Sequence, residues 1–280
     1  MTKIIINADD LGISHEVNKA IENAIKNGVI SSSTIIANGP AFNEAIQIVK
    51  QYPEISVGAH LNLIEFHPLT NQELFNKYEL TDSEGNFREG AIFLIKVFTK
   101  ELLHAIEEEL DAQLTKIEKS GITISHIDSH QHTHTIPQLR DVIVSIMTKH
   151  KISRVRRVHV PSIRLMLASR RNEVVHLDKS TAVQPKRKNI LIRRIKLLFV
   201  ICQTTMWNRF FKNQFVVTDD FYAYRTLYYN FHILKRKVEG KTVELMCHPG
   251  HPAFVIETEL ILSNVLKEKT SFQLITYNNL

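Results

Sequence analysis

Acidic residues and histidines occur in this sequence at spacings that could support catalysis. The densest stretch is HIDSHQHTH, residues 126–134, which holds four of the chain's 14 histidines. Asp128 keeps the same spacing, so His126, Asp128, His130, His132 and His134 occupy every second position. Alternation would place all five on one face if a strand continued through the stretch. Burying five such groups without a task would be costly, and histidine is the commonest metal ligand, so we predict a metal role for at least one.

Three further clusters follow predicted strands. Asp9 and Asp10 follow the apolar run at residues 4–6, His60 follows ISVGA, and CHPGHP, with His248 and His251, follows TVELM. Taken singly, the paired aspartates also suit a turn or a helix start, and CHPGHP also suits a Pro-Gly turn. Ligand sites of parallel α/β folds gather at the carboxyl ends of strands. Four clusters at one edge therefore favour a shared site.

The residue types in these clusters suit metal-assisted hydrolysis. Two histidines and one carboxylate can hold a divalent ion and leave positions open for water and substrate. The ion would acidify water and polarise a carbonyl group, while a second carboxylate accepts a proton and a histidine donates one to the leaving group. Asp9, Asp10, His60, His248 and one histidine of residues 126–134 supply this set. Spacing alone does not choose among an amide, an ester and a phosphoester.

Strand-like and helix-like patterns alternate along the chain and would position these clusters. Ser14 suits the N-cap of a first helix that ends near Gly28, and further helices are predicted at about 41–50, 91–119 and 137–150. A long loop is predicted from about 61 to 90. Later strands are predicted at ITISHID, RVRRVHV, QFVVT, TVELMC and SFQLIT. About eight strands interleaved with helices indicate a parallel α/β architecture. We expect a single domain over residues 1–280, folded as a distorted (β/α) barrel, with a doubly wound open sheet as the rival.

Composition and charge narrow the class of protein. The 280 residues are 44% hydrophobic and 23% charged, which is ordinary globular composition. The two cysteines suggest no disulfide framework, MTKIIINADD lacks a signal peptide's apolar region, and no membrane-spanning run occurs, so we expect a cytoplasmic protein. The net charge of +6 is concentrated at residues 149–171 and 186–212. We interpret these clusters as solvated helix faces, with a module that binds nucleic acid or a membrane surface as the alternative.

Four motifs together resemble a known family. NADDLG, GAHLNL, HIDSHQHTH and CHP, in this order between residues 7 and 249, resemble the YdjC-like carbohydrate deacetylases, which include the chitooligosaccharide deacetylases. The resemblance implies a distorted (β/α) barrel and metal-dependent removal of acetyl groups from N-acetylated sugars. It also implies Asp10, His60 and His130 as ligands of one divalent ion. The family is usually described with magnesium, whereas two histidines and one aspartate favour zinc on ligand softness. Asp9 becomes the base that acts on water, and His248 the acid, with His251 as its rival.

The resemblance also sets expectations for neighbouring residues and for partners. Asp128 and His126 would orient ligands or support the strand end, and His132 and His134 would line the cleft. We expect a small acetylated oligosaccharide or glycan as the substrate and no nucleic-acid partner, and the sequence leaves a homo-oligomer open. A metal-dependent phosphoesterase built on the same residues and a non-enzymatic basic binding protein are the competing functions.

Overall fold

A parallel β-sheet forms the centre of the molecule. The structure, a computed structural model, describes residues 1–88, 97–158, 205–263 and 272–280. Within these ranges the strands are β1 Thr2–Leu11, β2 Ser32–Ile35, β3 Ser56–Leu61, β4 Ile127–Ser129, β5 Asp220–Ala223, β6 Thr242–Cys247 and β7 Phe272–Leu274. They are ordered β4-β3-β2-β1-β6-β5, with β7 paired to the start of β1, and all pairings are parallel. The sheet curls into a half-barrel surrounded by helices, which confirms the predicted distorted barrel.

Helices cover the sheet and bury their apolar faces against it. Their bounds are His15–Lys26, Phe42–Val49, Gln72–Lys77, Lys100–Lys119, Arg140–Lys149, Tyr224–Tyr229, Phe231–Val238 and Val255–Leu262, and residues 205–212 are also helical. The first helix begins as predicted, because the Ser14 hydroxyl accepts a hydrogen bond from the Val17 amide at 3.3 Å. Across the described ranges, no helix combines the length and the apolar character needed to cross a membrane.

The histidine-rich stretch differs from the expected strand. β4 pairs with β3 only over Ile127–Ser129, and residues His130–Thr135 form a 3₁₀ turn. Gln131 and His132 adopt left-handed backbone angles, with φ of 48° and 58°, which ends the alternation. The strand does not continue, so the single face of five side chains does not form.

Other predicted elements differ in extent. As far as the structure describes them, RVRRVHV and QFVVT contribute isolated bridges, Ile127 to Val155 and Arg154 to Val216. The strand Asp220–Ala223 was not predicted. The predicted loop contains the short helix Gln72–Lys77. The predicted helix over 91–119 begins at Lys100, because a Thr99 hydroxyl caps it, and residues 91–96 lie outside the described ranges. Most of the two basic clusters, at residues 159–204, lies outside the described ranges too.

Candidate metal centre and cleft

The paired aspartates lie where β1 leaves regular geometry. The pairing of β1 with β2 shifts register between Ala8 and Leu11, and Asp10 has a left-handed φ of 68°. A regular strand would send adjacent side chains to opposite faces, so this distortion allows Asp9 and Asp10 to line one cleft. Gly12 follows with a φ of 99°, and a Cβ there would lie 3.1 Å from the Ile36 carbonyl oxygen. A glycine therefore suits this turn.

His60 lies at the end of β3, between two carboxylates. Its Nδ1 is 2.7 Å from Asp128 Oδ1, and its Nε2 is 3.3 Å from Asp10 Oδ1. Asp128 is directly opposite His60 in the β3–β4 pairing, which explains the contact. Burial alone would lower the pKa of His60, but the charge of Asp128 and the Asp10 carboxylate beside Nε2 outweigh it and raise the pKa to about 10. The contact with Asp128 leaves Nε2 directed at Asp10.

His130 approaches the same oxygen from the turn after β4. Its Nδ1 lies 2.9 Å from Asp10 Oδ1, and its Nε2 lies 3.1 Å from Glu65 Oε2. Burial lowers the pKa of His130, but the carboxylates of Asp10 and Glu65 beside its two nitrogens outweigh it and raise the pKa to about 9. Two imidazoles thus converge on one carboxylate oxygen.

These three side chains fit a divalent ion. Asp10 Oδ1 is buried and accepts no well-formed hydrogen bond from the described residues, although both imidazole nitrogens are near it. One oxygen and two nitrogen donors, all within 4.8 Å of one another, are a donor set typical of catalytic zinc and of related divalent ions. The structure therefore brings together Asp10, His60 and His130, the residues for which the sequence implied a metal role.

Asp9 belongs to a second cluster, which is built around Arg156. Arg156 is fully buried, and its Nη1 and Nη2 donate to the two carboxylate oxygens of Asp9 at 2.7 Å each. Nη1 also lies 2.7 Å from Asp128 Oδ2, and Nε donates to Glu244 Oε1 at 2.7 Å. The guanidinium group therefore contacts carboxylates from three different strands.

Arg156 affects its acidic neighbours unequally. Burial raises the pKa of Asp9, but the charge and hydrogen bonds of Arg156 outweigh it and hold the pKa far below its usual range. For Glu244 burial prevails and raises the pKa to about 7. The Tyr277 hydroxyl donates to the other oxygen of Glu244. Asp9 thus stays ionised, whereas Glu244 readily takes up a proton.

His248 lies on the opposite side of the cleft, and a buried carboxylate holds it. Glu257 Oε1 accepts from the His248 amide at 2.7 Å and lies 3.3 Å from its Nδ1. Burial lowers the pKa of His248, but the hydrogen bond to Glu257 and the charge of Asp9 raise it overall. Gly250, with a φ of 78°, packs this loop onto the first helix, because a Cβ there would lie 2.7 Å from Ala20 Cβ.

His251 is held differently. Its Nδ1 accepts a hydrogen bond from the Ala253 amide at 3.1 Å, so a proton on that nitrogen would break the bond. Its ring lies 6.5 Å from that of His248, centroid to centroid, and both contact Phe254. His248 thus contacts a buried carboxylate, whereas His251 contacts a backbone amide.

A cleft connects the candidate metal centre with His248 and His251. Its volume is about 1050 Å³, and its walls include Asp9, Asp10, His60, His130, His132, His248 and His251, together with Glu65 and Phe254. This volume is near the upper end of the range of about 300–1,000 Å³ that is common for ligand sites.

The other histidines of residues 126–134 have separate surroundings. His126 is buried and stacks on Tyr277 at 3.5 Å between ring centroids. His134 is also buried and lies 2.5 Å from Ser129 Oγ, so it does not line the cleft as expected. The 3₁₀ turn draws His134 inward and leaves His132 at the cleft wall.

Comparison with known proteins identifies the family. The sequence profile of the YdjC-like protein family matches residues 3–271. The chain belongs to this family.

Relatives of this YdjC-like chain carry informative names. It is 36% identical over 150 residues to a carbohydrate deacetylase of Brevibacillus brevis and 37% identical over 150 residues to one of Vibrio cholerae, covering 54% of this chain in each case. These matches span 57% of the length of each relative, so the chain aligns with little more than half of them. A crystal structure of a putative cellobiose-phosphate cleavage protein from Enterococcus faecalis matches 99% of this chain and 98% of its own, with a TM-score of 0.66 and 24% identity. That likeness concerns the fold.

The sequence interpretation of this YdjC-like chain missed Arg156, Glu244, Glu257 and Glu65. Glu244 had a detectable signal, because it is a charged residue inside the apolar strand TVELMC. Arg156 had none that separates it from the neighbouring Arg154 and Arg157 in a basic run. Glu65 and Glu257 lie in a loop and a helix, where an acidic residue is ordinary.

Proposed function

We propose that this YdjC-like chain is a metal-dependent deacetylase that removes acetyl groups from N-acetylated sugars. The convergence of Asp10, His60 and His130 on one unsatisfied carboxylate oxygen, inside a large cleft, carries the proposal. The names of the relatives support the deacetylase assignment and the sugar substrate.

Asp10, His60 and His130 would hold one divalent ion. Imidazole ligands favour zinc on ligand softness, whereas the family resemblance implies magnesium, so the test below includes both metals. When bound, the ion supplies Lewis acidity, which acidifies water and polarises a carbonyl group. Because His60 and His130 have pKa values of about 10 and about 9 without metal, binding must displace their protons. Metal affinity should therefore rise with pH up to about 9, where the first of these imidazoles loses its proton.

Asp9 would act as the proton acceptor for the attacking water. Its carboxylate lies beside His60 at the cleft floor, and Arg156 keeps it ionised through the low pKa. The same guanidinium group makes Asp9 a weak base, so proton removal depends on prior acidification of the water. Arg156 also holds both oxygens in place, which fixes the direction from which a proton can be accepted.

His248 would protonate the departing amine. Glu257 engages its Nδ1, which leaves Nε2 as the nitrogen available to a substrate in the cleft. The raised pKa favours a protonated imidazole near neutral pH, which is the form that an acid needs.

Arg156 bears on the phosphoesterase alternative. Two-metal phosphoesterases hold ions roughly 3.5–4 Å apart. Asp9, His60 and Asp128 form a second donor group beside the first, but the guanidinium group of Arg156 already contacts both carboxylates at 2.7 Å. A resident cation at this position favours one metal ion per chain.

Three described residues of the basic clusters, Lys149, Arg156 and Arg157, already have partners within the chain. Arg156 is buried within the site, and Lys149 pairs with Asp111 at 2.7 Å. Arg157 donates to the Asp219 carbonyl oxygen. These three side chains have partners within the chain and do not form a free cationic surface.

Acetate release from a panel of N-acetylated oligosaccharides tests the proposal. The protein is assayed as purified, after treatment with a chelator, and after addition of zinc or magnesium. We expect release that the chelator abolishes and one metal restores, with one ion bound per chain. Acetate release that survives complete metal removal would contradict metal dependence, and phosphate release from phosphoesters without acetate release would favour the phosphoesterase.

A further inference from the structure

Glu65 contacts the nitrogen of His130 that faces away from Asp10. The Glu65 Oε2 atom lies 3.1 Å from His130 Nε2, while His130 Nδ1 lies 2.9 Å from Asp10 Oδ1. We propose that Glu65 is a positioning residue that holds His130 with Nδ1 directed at the ion, an inference that rests on the proposed metal site.

The two imidazoles of the candidate centre are held in the same way through opposite atoms. His60 directs Nε2 at Asp10 and gives Nδ1 to Asp128, whereas His130 directs Nδ1 at Asp10 and gives Nε2 to Glu65. A carboxylate on the distal nitrogen fixes the tautomer and the ring orientation of a metal-binding histidine. Each imidazole therefore has its own orienting carboxylate.

His130 depends on such a partner more than His60 does. His60 lies in a paired strand and is 2% exposed, whereas His130 begins the 3₁₀ turn, is 13% exposed and precedes the left-handed Gln131. Strand pairing and close packing fix the His60 ring, but neither encloses His130 to that degree. The contact with Glu65 supplies the missing restraint.

The backbone of Glu65 is anchored, although its side chain is 44% exposed. Its carbonyl oxygen accepts from Asn62 Nδ2 at 2.7 Å and from Asn38 Nδ2 at 3.2 Å. Asn62 is buried, and its own amide and carbonyl groups bond to the Gln113 side chain at 2.9 Å and 2.7 Å. This chain of amides ties Glu65 to the helix Lys100–Lys119. Glu65 thus differs from a freely moving surface glutamate.

Zinc affinity is the direct measure of this role. Zinc is titrated against a chromophoric chelator in the unchanged protein and in the variants Glu65→Ala, Glu65→Gln and His130→Ala. We expect Glu65→Ala to weaken zinc binding by about 10- to 100-fold, as loss of a carboxylate behind a ligand histidine typically does. Glu65→Gln should lose less zinc affinity, because its amide oxygen can still accept a hydrogen bond from His130 Nε2.

Glu73→Ala is the matched control. Glu73 is an exposed glutamate in the nearby helix Gln72–Lys77, and it does not line the cleft. Its replacement by alanine removes the same charge as Glu65→Ala. Its zinc affinity should equal that of the unchanged protein, and thermal unfolding of the metal-free variants checks that each one folds. With saturating zinc, Glu65→Ala should keep the KM for an N-acetylated sugar.

The outcomes separate this inference from the proposed function. Unchanged zinc affinity in Glu65→Ala, beside a strong loss in His130→Ala, would overturn the role of Glu65 and leave the metal site intact. Unchanged affinity in both variants would overturn the metal site itself. A raised KM with unchanged zinc affinity would make Glu65 a substrate contact and would also overturn the positioning role.

Discussion

Two charged clusters lie side by side under the cleft, and they differ in how their charge is balanced. The Arg156 cluster carries its own cation, which contacts the carboxylates of Asp9, Asp128 and Glu244. The Asp10 cluster has one carboxylate and two imidazoles, and its buried Oδ1 lacks a well-formed hydrogen bond. Both are buried, but only the first is balanced by a group that cannot give up its proton to make way for a metal ion.

The difference in charge balance indicates which substitutions should affect folding and which should affect metal binding. A buried carboxylate needs a paired charge or hydrogen bonds, and Arg156 supplies both to Asp9. In the Asp10 cluster the charges that face the carboxylate are two protonated imidazoles, and a metal ion would have to displace their protons. We therefore expect changes in the Arg156 cluster to affect folding first, and changes in the Asp10 cluster to affect metal binding first.

Arg156→Met should have the largest effect. It leaves three buried carboxylates without their cation, and breaking a buried ion pair by removing one partner typically costs about 3–5 kcal/mol. Urea unfolding should show a loss of that size in the metal-free protein, together with loss of acetate release. Arg156→Lys keeps the charge but not the paired hydrogen bonds. Its free energy of unfolding should lie between those of Arg156→Met and the unchanged protein. A Met variant as stable as the unchanged protein would remove the structural role of this cluster.

Asp9→Asn and Asp10→Asn should separate catalysis from metal binding. Asp9→Asn should keep its zinc affinity while kcat falls by about 10²–10⁴-fold, the usual contribution of a general acid–base step. Asp10→Asn should weaken zinc binding, and excess zinc should partly restore its rate. Zinc titration and acetate release on both variants check the division. If Asp9→Asn lost zinc while Asp10→Asn kept it, the roles assigned to the two aspartates would be reversed.

His248→Ala should affect amide substrates more than activated esters. The amine leaving group needs a proton, whereas an activated acetyl ester departs without one, so the fall in kcat should be about 10²-fold or more only for the amide. His251→Ala is the matched control, because its Nδ1 already accepts a backbone hydrogen bond. A larger loss in His251→Ala than in His248→Ala would assign the acid to His251.

The sequence predicted the barrel-like sheet because its strands are apolar runs bounded by polar residues. Predictions from the sequence were wrong where contacts between distant residues decide the structure. The alternation of HIDSHQHTH would place five side chains on one face only if the strand continued. β4 pairs only over Ile127–Ser129, and Ser129 Oγ accepts from the His134 amide at 2.8 Å. β5, Asp220–Ala223, is held by its pairing with β6. Neither the end of β4 nor the formation of β5 depends on the local sequence pattern.

The site could be predicted in part for the same reason. Strand ends carry Asp9, Asp10 and His60, so topology alone brings them to one edge of the sheet. The roles assigned to these residues and to His130 and His248 stay predictions. Arg156 could not be singled out, because its burial depends on contacts with three distant strands. Glu65 lies in a loop whose path is set by Asn62 and Gln113.

Glu244→Gln should have the smallest effect and should reveal that Arg156 has more carboxylates than it needs. Glu244 has a pKa of about 7 in the folded protein, above its ordinary 4.5, because burial outweighs the attraction of Arg156. A raised carboxyl pKa means that the folded state holds the proton more tightly than the unfolded state. Its contribution to stability is thus complete below about pH 4.5 and is lost as the pH rises through about 7.

Glutamine resembles the protonated acid and does not titrate, so Glu244→Gln should not lose stability in this way as the pH rises. Its amide oxygen can still accept from Arg156 Nε, and the Tyr277 hydroxyl can turn to accept from its amide nitrogen. We expect unfolding free energies that are similar for the variant and the unchanged protein near pH 5. The variant should become relatively more stable by on the order of 1–3 kcal/mol by pH 8. Urea unfolding of the metal-free proteins across this range measures the difference, with the exposed Glu54→Gln as the charge-matched control. A difference that does not change with pH would mean that Glu244 is ionised throughout, and that all three carboxylates are needed to balance Arg156.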